Sequence, residues 1–400
     1  MYLQIKPSKA KGIVVVPPSK SYAHRYLIAA ALAGDTIIKN VDLSNDIIAT
    51  FDSLNNIGYD LYYRNSRVFS AGKIEKKPIH VVDARESGST LRFLIPLASS
   101  QNDHSSFIGS NKLFSRGIEV YEDIFNKQNI SYDLTDNSLY VNGRLSSGTF
   151  DVSGTISSQY ISGLLMSLPI LNKDSLIRVE GKIESEPYID ITVDVLKQFG
   201  IVITKIANTY FIKGNQQYKS GIFTVEGDYS NAAFLDALNL IGGEVLLKGL
   251  NENSLQGDKI YKKHFQELQN SHPVIDISNC IDLGPILFVV ASIFNGAIFK
   301  GTKRLKIKES DRVDEMMEVL QHFGVSSRVE ENEVEIYKSE LRPTDEIIDL
   351  PNDHRIIMAT SVLLTLVGGK VRGYASVKKS FPNFFDVLKQ LGIEVSYEKD

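Results

Sequence analysis

The densest chemistry in the sequence is Arg304-Leu305-Lys306-Ile307-Lys308-Glu309-Ser310-Asp311-Arg312, where four cations and two carboxylates surround one serine. Behind it, Val313, Met316, Met317, Leu320 and Phe323 fall on one apolar helical face, with Gly324 placed to stop the helix. The stretch therefore reads as a strand-to-helix junction, capped by Ser310 or Asp311. A helix N-terminus already favours negative charge, so Lys308 and Arg312 there point to a phosphate or carboxylate ligand.

The same composition returns ahead of other apolar helices. Ser19-Lys20-Ser21-Tyr22-Ala23-His24-Arg25 offers a lysine, two serines and an arginine one turn on from Ser21, a set that fits a phosphate. Lys20-Ser21 looks like the end of a nucleotide-binding loop, but the glycine loop that should precede it is absent, which rejects that reading. Arg85-Glu86-Ser87-Gly88-Ser89-Thr90 contains Gly88, where a ligand can approach the backbone, and Arg116 follows the predicted strand Ser106-Phe107-Ile108. Ser157-Ser158-Gln159 supplies two hydroxyls and an amide suited to phosphate or sugar-like hydroxyls, and Ser185-Glu186-Pro187-Tyr188-Ile189-Asp190 comes later in that unit. Gly227-Asp228-Tyr229-Ser230, a lone Asp282, and Asn352-Asp353-His354-Arg355 open three more helices, the last followed by Lys378-Lys379-Ser380-Phe381-Pro382.

Taken singly, Ser157, Asp228 and Ser310 read as helix caps, Asp282 and Glu309 as solvated caps, His354 as a core histidine and Lys378-Lys379 as charged surface. Capping needs no arginine, however. Arg25, Arg92, Arg116, Arg312 and Arg355 all stand at or near these openings, which implies a strongly anionic ligand set.

The elements that must position these residues follow from length and periodicity. Four hundred residues exceed one ordinary core and predict two domains. The composition, 43% hydrophobic and 23% charged, is that of a soluble globular chain, and a net charge of -4 argues against nucleic-acid or membrane-surface partners. Cys280 is the only cysteine, which excludes internal disulfides and fits a reducing, cytoplasmic location; no cysteine-histidine cluster suggests a metal. Met1 to Pro7 lacks the apolar run of a signal peptide. The most apolar segment, 281–299, contains Asp282, Gly284, Pro285, Asn295 and Gly296, so it reads as a buried helix rather than a membrane span.

One pattern recurs six times: an apolar helix, a short strand, an amphipathic helix with a glycine stop, and a β pair. The stops fall at Gly58, Gly200, Gly324 and Gly392, and the fourth unit, from Ala232, is the least regular. Three units per domain suit the length, since no such unit covers its apolar helix alone. Turn chemistry at Val16-Pro17-Pro18-Ser19-Lys20 and Val225-Glu226-Gly227-Asp228 places hinges near 16–20 and 225–228. These make residues 1–18 plus 227–400 one discontinuous domain, and 19–226 a domain inserted into it.

In order along nearly the whole chain, Lys20-Ser21 through Arg25, Gly88-Ser89-Thr90-Leu91-Arg92, Ser157-Ser158-Gln159, Pro187-Tyr188-Ile189-Asp190, Gly227-Asp228, Lys308-Glu309-Ser310-Asp311-Arg312, Asp353-His354-Arg355 and Lys379-Ser380-Phe381-Pro382 resemble the 5-enolpyruvylshikimate-3-phosphate synthases. Any one motif is weak; Lys-Glu-Ser-Asp-Arg followed by Asp-His-Arg at this separation is specific. The resemblance implies a two-domain inside-out α/β barrel, the enolpyruvyl transferase fold, built of six βαβαββ repeats and closing on its substrates. It also implies transfer of the enolpyruvyl group of phosphoenolpyruvate to the 5-hydroxyl of 3-phosphoshikimate, by a cytoplasmic monomer without cofactor or metal, in chorismate and aromatic amino acid biosynthesis.

By the same resemblance Asp282 is the base at the hydroxyl, Glu309 the proton donor to carbon, and Lys20 shares in proton transfer. Lys20, Ser21, Arg25, Ser157, Ser158, Gln159, Ser185, Tyr188, Asp282 and Lys308 match positions that hold 3-phosphoshikimate. Lys20, Gly88, Arg116, Gln159, Arg312, His354, Arg355 and Lys379 match those that hold phosphoenolpyruvate. Two departures stand out. Glu86 is acidic where the family often has asparagine, and would repel phosphoenolpyruvate unless Arg85 or another cation pairs it. Arg304 replaces an asparagine that touches 3-phosphoshikimate in some members. The nearest rival, UDP-N-acetylglucosamine enolpyruvyl transferase, shares fold and donor but carries a loop cysteine in its first half and lacks this Lys-Glu-Ser-Asp-Arg arrangement. A non-catalytic anion-binding protein of the same fold is disfavoured by the presence of both carboxylates and Lys20.

Overall fold

The computed structural model describes residues 1–399. The chain forms two compact units, one from Met1–Pro17 with the chain from Gly227 onward, the other from Pro18–Glu226. Each has its own hydrophobic core.

Six small sheets build the described residues, five of four strands and one of two. The repeat is clearest in Thr149–Ser153, helix Ser158–Ser167, Ser175–Glu180, helix Glu186–Gln198, Ile203–Ile206 and Thr209–Ile212. The first two strands pair in parallel across the helix, and the last two close as an antiparallel hairpin whose second arm lies against the second strand. Two repeats borrow a strand from elsewhere in the chain. Tyr2–Ile5 completes the last sheet, and Ile222–Thr224 supplies the first strand of the first. In the fourth unit Lys11–Val15 pairs, among the described residues, only with Glu244–Lys248; no hairpin follows there among them, which is why that repeat's pattern is the faintest in the sequence.

The first helix of each repeat is buried nearly all round, as a helix apolar on every side must be. Lys20–Ala33, Gly88–Gln101 and Ser158–Ser167 serve one unit; Tyr229–Leu240, Gly284–Ile293 and His354–Val367 serve the other. The second helices are amphipathic. In Arg312–His322, Val313, Met316 and Leu320 are buried while Met317 is half-buried. The glycine stops hold, with Gly58, Gly200, Gly324 and Gly392 all at positive φ.

The apolar run 281–299 is not one helix. It breaks at Phe294-Asn295 into helix Gly284–Ile293 and strand Gly296–Lys300, with Gly296 at φ +72 turning the chain out of the helix. Among the described residues no helix is long and apolar enough to cross a membrane.

Helix Ser158–Ser167 meets Gly88–Gln101 at Gly163. A Cβ there would press into the Arg92 carbonyl oxygen and stand 2.7 Å from the Tyr121 hydroxyl, which itself donates to that carbonyl. Gly163→Ala gains about 1 kcal/mol of helix propensity. The clash is with backbone and far inside normal contact, so its cost lies in the upper part of the roughly 1–3 kcal/mol of overpacking and outweighs that gain. A net loss on the order of 1–2 kcal/mol is expected in urea unfolding, and an unchanged or higher midpoint would contradict this close approach.

Candidate active site

In the unit containing Gly227 onward, one buried guanidinium organises the cluster. Arg312, 1% exposed, donates from Nε to Asp353 Oδ2 at 2.7 Å and from Nη2 to Asp353 Oδ1 at 3.2 Å, a two-pronged grip on a fully buried carboxylate. Its remaining N–H groups reach Asp282 Oδ1 at 2.9 Å and Glu309 Oε2 at 2.8 Å. Asp353 also accepts from the Arg355 backbone N–H and from Ser310 Oγ, so it caps helix His354–Val367 while holding the arginine. Asp311, not Ser310, caps helix Arg312–His322, accepting from Val313 and Asp314 N–H.

Around Asp282 stand Lys308 Nζ at 4.0 Å and Arg355 Nη2 at 3.6 Å. Burial alone would push the Asp282 carboxyl up; Lys308, Arg355 and Arg312 together pull it well below the usual carboxylate range. Burial works against the Arg312 charge, but Asp353, Glu309 and Asp282 more than offset it and raise its pKa. Arg355 is 3% exposed, its guanidinium 5.8 Å from the Phe234 ring centre, and its Nε and Nη1 meet no hydrogen-bond acceptor among the described residues. His354 Nδ1 lies 3.2 Å from Glu309 Oε2. Lys379 is buried and donates to the Asn352 carbonyl, unlike its exposed neighbour Lys378. Arg304 is buried in the turn Lys303–Ile307. Behind the cluster, Ser230 donates to buried Asp258, whose carboxyl burial and then Asp282 push up to about 7.

Glu309, Asp353 and His354 place three ligand-type atoms within 4.8 Å of one another, spacing a metal ion could use. Arg312 already engages both carboxylates and supplies their counter-charge.

The unit Pro18–Glu226 carries the other set. Lys20, first residue of its helix, gives its ammonium to Asp46 Oδ2 at 2.7 Å. Arg25 is 2% exposed and donates to Thr192 Oγ1, the Ser21 carbonyl, Ser162 Oγ and the Tyr188 carbonyl. It thus ties the Ser21 turn to the segment after Ser185. Ser185 itself is buried at φ +55, a left-handed backbone that a non-glycine residue keeps only when its surroundings impose it. Ser157 caps helix Ser158–Ser167, leaving buried Ser158 and half-buried Gln159 in the first turn.

Gln159 joins two openings, accepting from Arg92 Nη1 at 3.2 Å and donating to Ser89 Oγ at 3.1 Å. Arg92 Nη2 donates to the Arg116 and Gly117 carbonyls. A Cβ on Gly88 would sit 3.0 Å from Arg92 Nη1 and 3.1 Å from Arg116 Nη1, so the glycine makes room for two guanidinium groups. Arg85 pairs with Asp52 at 2.6 Å, which assigns its charge to that carboxylate. A surface groove of 850 Å³ on the Thr149–Ser153 sheet, lined by Leu176, Phe211 and Lys213 among others, includes none of these residues.

Within the first unit, then, Asp282, Lys308, Glu309, Arg312, His354 and Arg355 come together around Arg312. Within the second, Gly88, Arg116 and Gln159 come together, as do Ser21, Arg25 and Tyr188. Asp353 stood in a motif without a role of its own, and Arg92 only among the arginines at helix openings; each proves to be a hub. Asp46 gave no signal, since an aspartate in the first turn of a helix is commonplace.

Two domains of small βαβαββ units with charged helix openings define an enolpyruvyl transferase-type fold. The solved EPSP synthase of Acinetobacter baumannii superposes with a TM-score of 0.80 over 99% of this chain and 100% of its own, at 21% identity. Residues 5–388 match the family model for EPSP synthase (3-phosphoshikimate 1-carboxyvinyltransferase). Proteins of Clostridium acetobutylicum and Clostridium perfringens named 3-phosphoshikimate 1-carboxyvinyltransferase are 38% and 37% identical to it, the first covering 98% of each chain and the second 97%. The chain belongs to the EPSP synthase family.

Removing the central guanidinium strands the buried Asp353 carboxylate and leaves half-buried Asp282 and Glu309 without their closest cation. Arg312→Leu should lower unfolding free energy by on the order of 3–5 kcal/mol in urea titration; a loss under about 1 kcal/mol would show that Asp353 is held by other groups. The acid limb gives a second check. Asp282 stays ionised in the folded state below its unfolded pKa of about 4, where the unfolded chain binds the extra proton. Stability should therefore fall more steeply with pH below that point in the wild type than in Asp282→Asn, and parallel curves would contradict the depressed pKa.

Proposed function

We propose that the chain transfers the enolpyruvyl group of phosphoenolpyruvate to the 5-hydroxyl of 3-phosphoshikimate, with release of phosphate. The observation that carries this reading is the placing of Asp282 and Glu309 on two arms of one buried guanidinium, 2.9 and 2.8 Å away, with Lys308 and Arg355 beside Asp282. The relatives' names and the family match support it.

The steps are an addition and an elimination. Asp282 takes the proton of the 5-hydroxyl as its oxygen bonds to C2 of phosphoenolpyruvate, and Glu309 gives a proton to C3, which becomes a methyl. That methyl then gives a proton back to Glu309, the double bond reforms, and the C2–O bond to phosphate breaks, with the proton held by Asp282 leaving on the phosphate. Lys20, with Asp46 at its ammonium, shares in these transfers. No step calls for a cofactor.

A carboxylate held far below its usual pKa is a poor base in the free protein. Arrival of substrate phosphate and carboxylate groups draws Lys308, Arg355 and Arg312 toward those anions, which restores basicity to Asp282 when it is needed. Arg355, with two nitrogens free of protein acceptors, is the first candidate to take up a phosphoenolpyruvate oxygen. Arg312, His354 and Lys379 complete that set here, and Lys20, Gly88, Arg116 and Gln159 supply the rest. Ser21, Arg25, Ser157, Ser158, Gln159, Ser185, Tyr188, Lys20, Lys308 and Asp282 are assigned to 3-phosphoshikimate. Arg25 acts there chiefly by fixing the Ser21 turn, because its donors are already engaged. The working form is read as a cytoplasmic monomer.

The test is phosphate release from phosphoenolpyruvate that requires 3-phosphoshikimate and fails with UDP-N-acetylglucosamine. Release with the sugar nucleotide instead would replace this reading with the sister activity, and tight binding without turnover would leave only an anion-binding protein. Glu309→Gln and Asp282→Asn should each slow turnover at least about 100-fold; near-normal rates in both would remove them from the chemistry. Gly88→Ala should raise the KM for phosphoenolpyruvate with little change for 3-phosphoshikimate, since the added methyl meets Arg92 and Arg116 at 3.0 and 3.1 Å.

A further inference from the structure

Beneath the openings of the Pro18–Glu226 unit runs a chain of buried hydroxyls. His24 Nδ1 lies 2.7 Å from Thr50 Oγ1, Thr50 Oγ1 lies 2.7 Å from Thr90 Oγ1, and Thr90 Oγ1 donates to Ser87 Oγ at 2.7 Å. His24, Thr50, Thr90 and Ser87 are at most 1% exposed. Ser87 also accepts from the Thr90 N–H and so caps the helix that starts at Gly88. The order of donors follows from counting hydrogens. Thr90 spends its one hydroxyl proton on Ser87, with the Asp46 carbonyl at 3.4 Å as a weaker second acceptor. Thr50 must then donate to Thr90, and its remaining acceptor position takes the proton of His24 Nδ1. Burial drives the His24 pKa down to about 3, so the ring stays neutral at physiological pH and this tautomer persists.

Thr50 stands one helical turn after Asp46 in helix Asn45–Asn56. Asp46 grips the Lys20 ammonium, while Thr50 grips Thr90 in the first turn behind Gly88. A single helix face therefore sets the distance from Lys20 to the Gly88 turn, which in turn holds Gln159 through Ser89.

We propose that Thr50 is a positioning residue for phosphoenolpyruvate, fixing the Gly88 turn against Lys20 through the His24-Thr50-Thr90-Ser87 chain. The proposal rests on the assignment of Lys20 and Gly88 to that ligand. Valine matches threonine in shape but breaks both of Thr50's bonds and strands the His24 donor, while serine keeps the hydroxyl.

Thr50→Val should raise the KM for phosphoenolpyruvate roughly tenfold, the scale of one or two lost buried hydrogen bonds, with the KM for 3-phosphoshikimate changed less than about twofold. Thr50→Ser should restore most of the difference. In nitrogen-15 NMR spectra, the Gly88 and Ser89 amides and the His24 ring should shift in Thr50→Val and return in Thr50→Ser. An unchanged KM for phosphoenolpyruvate, or both KM values rising together with a fall in Tm, would overturn the proposal in favour of plain core packing. If the wild type releases no phosphate, the functional reading fails by itself. The spectra then still decide the link, and unmoved Gly88 and Ser89 amides in Thr50→Val would refute it.

Discussion

A cation buried with three carboxylates is the constraint on which the unit after Gly227 depends. Arg312 has a rigid fork of donors, and the chain brings it Asp353 from one helix opening, Asp282 from another and Glu309 from its own approach. Neither partner set is tolerable alone, because an uncompensated charge at 0–1% exposure would cost several kcal/mol. The fold and the charge pattern are thus mutually required. A lysine could not replace the arginine here, since one ammonium cannot reach three separated carboxylates in fixed directions.

That network shows how acidic groups can stand beside the cations that the proposed reading assigns to anionic ligands. Asp282 and Glu309 would repel phosphate and carboxylate ligands if their charge stood alone. Tied to Arg312, with Lys308 and Arg355 alongside Asp282, the three carboxylates are matched by three cations, so the cluster carries no net negative charge from them. Asp258, its carboxyl pushed up to about 7 by burial and then by Asp282, carries only part of a negative charge near neutral pH.

Periodicity exposed most of the architecture, because each βαβαββ unit repeats one helix apolar on all sides and one amphipathic helix with a glycine stop. It blurred where the chain departs from its own repeat. Among the described residues the fourth unit has no hairpin, and two sheets borrow strands distant in sequence, Tyr2–Ile5 and Ile222–Thr224. The run 281–299 reads as one buried helix for a plain reason: hydrophobicity alone does not separate a buried helix from the buried strand that follows it. At the site, charged residues at helix openings were legible as candidates, yet their wiring was not. Nothing local in the sequence shows that Asp353 would be the carboxylate gripped twice by Arg312, or that Asp46 would face Lys20 across 26 positions. Such pairings depend on which helix ends meet, and that is settled by packing.

The two units solve the burial of positive charge in opposite ways. Arg312 is matched by carboxylates, whereas Arg25 and Arg92, equally buried, donate to hydroxyls, an amide and backbone carbonyls, all neutral. Neutral acceptors satisfy geometry but leave the charge standing, and burial accordingly lowers the Arg25 pKa to about 10. A fold that keeps two such groups without counter-ions holds a positive potential in reserve. A dianionic phosphate discharges it, while a neutral sugar does not. Arg25 and Arg92 thus differ from Arg312 in the partners that hold them, not in how deeply they are buried.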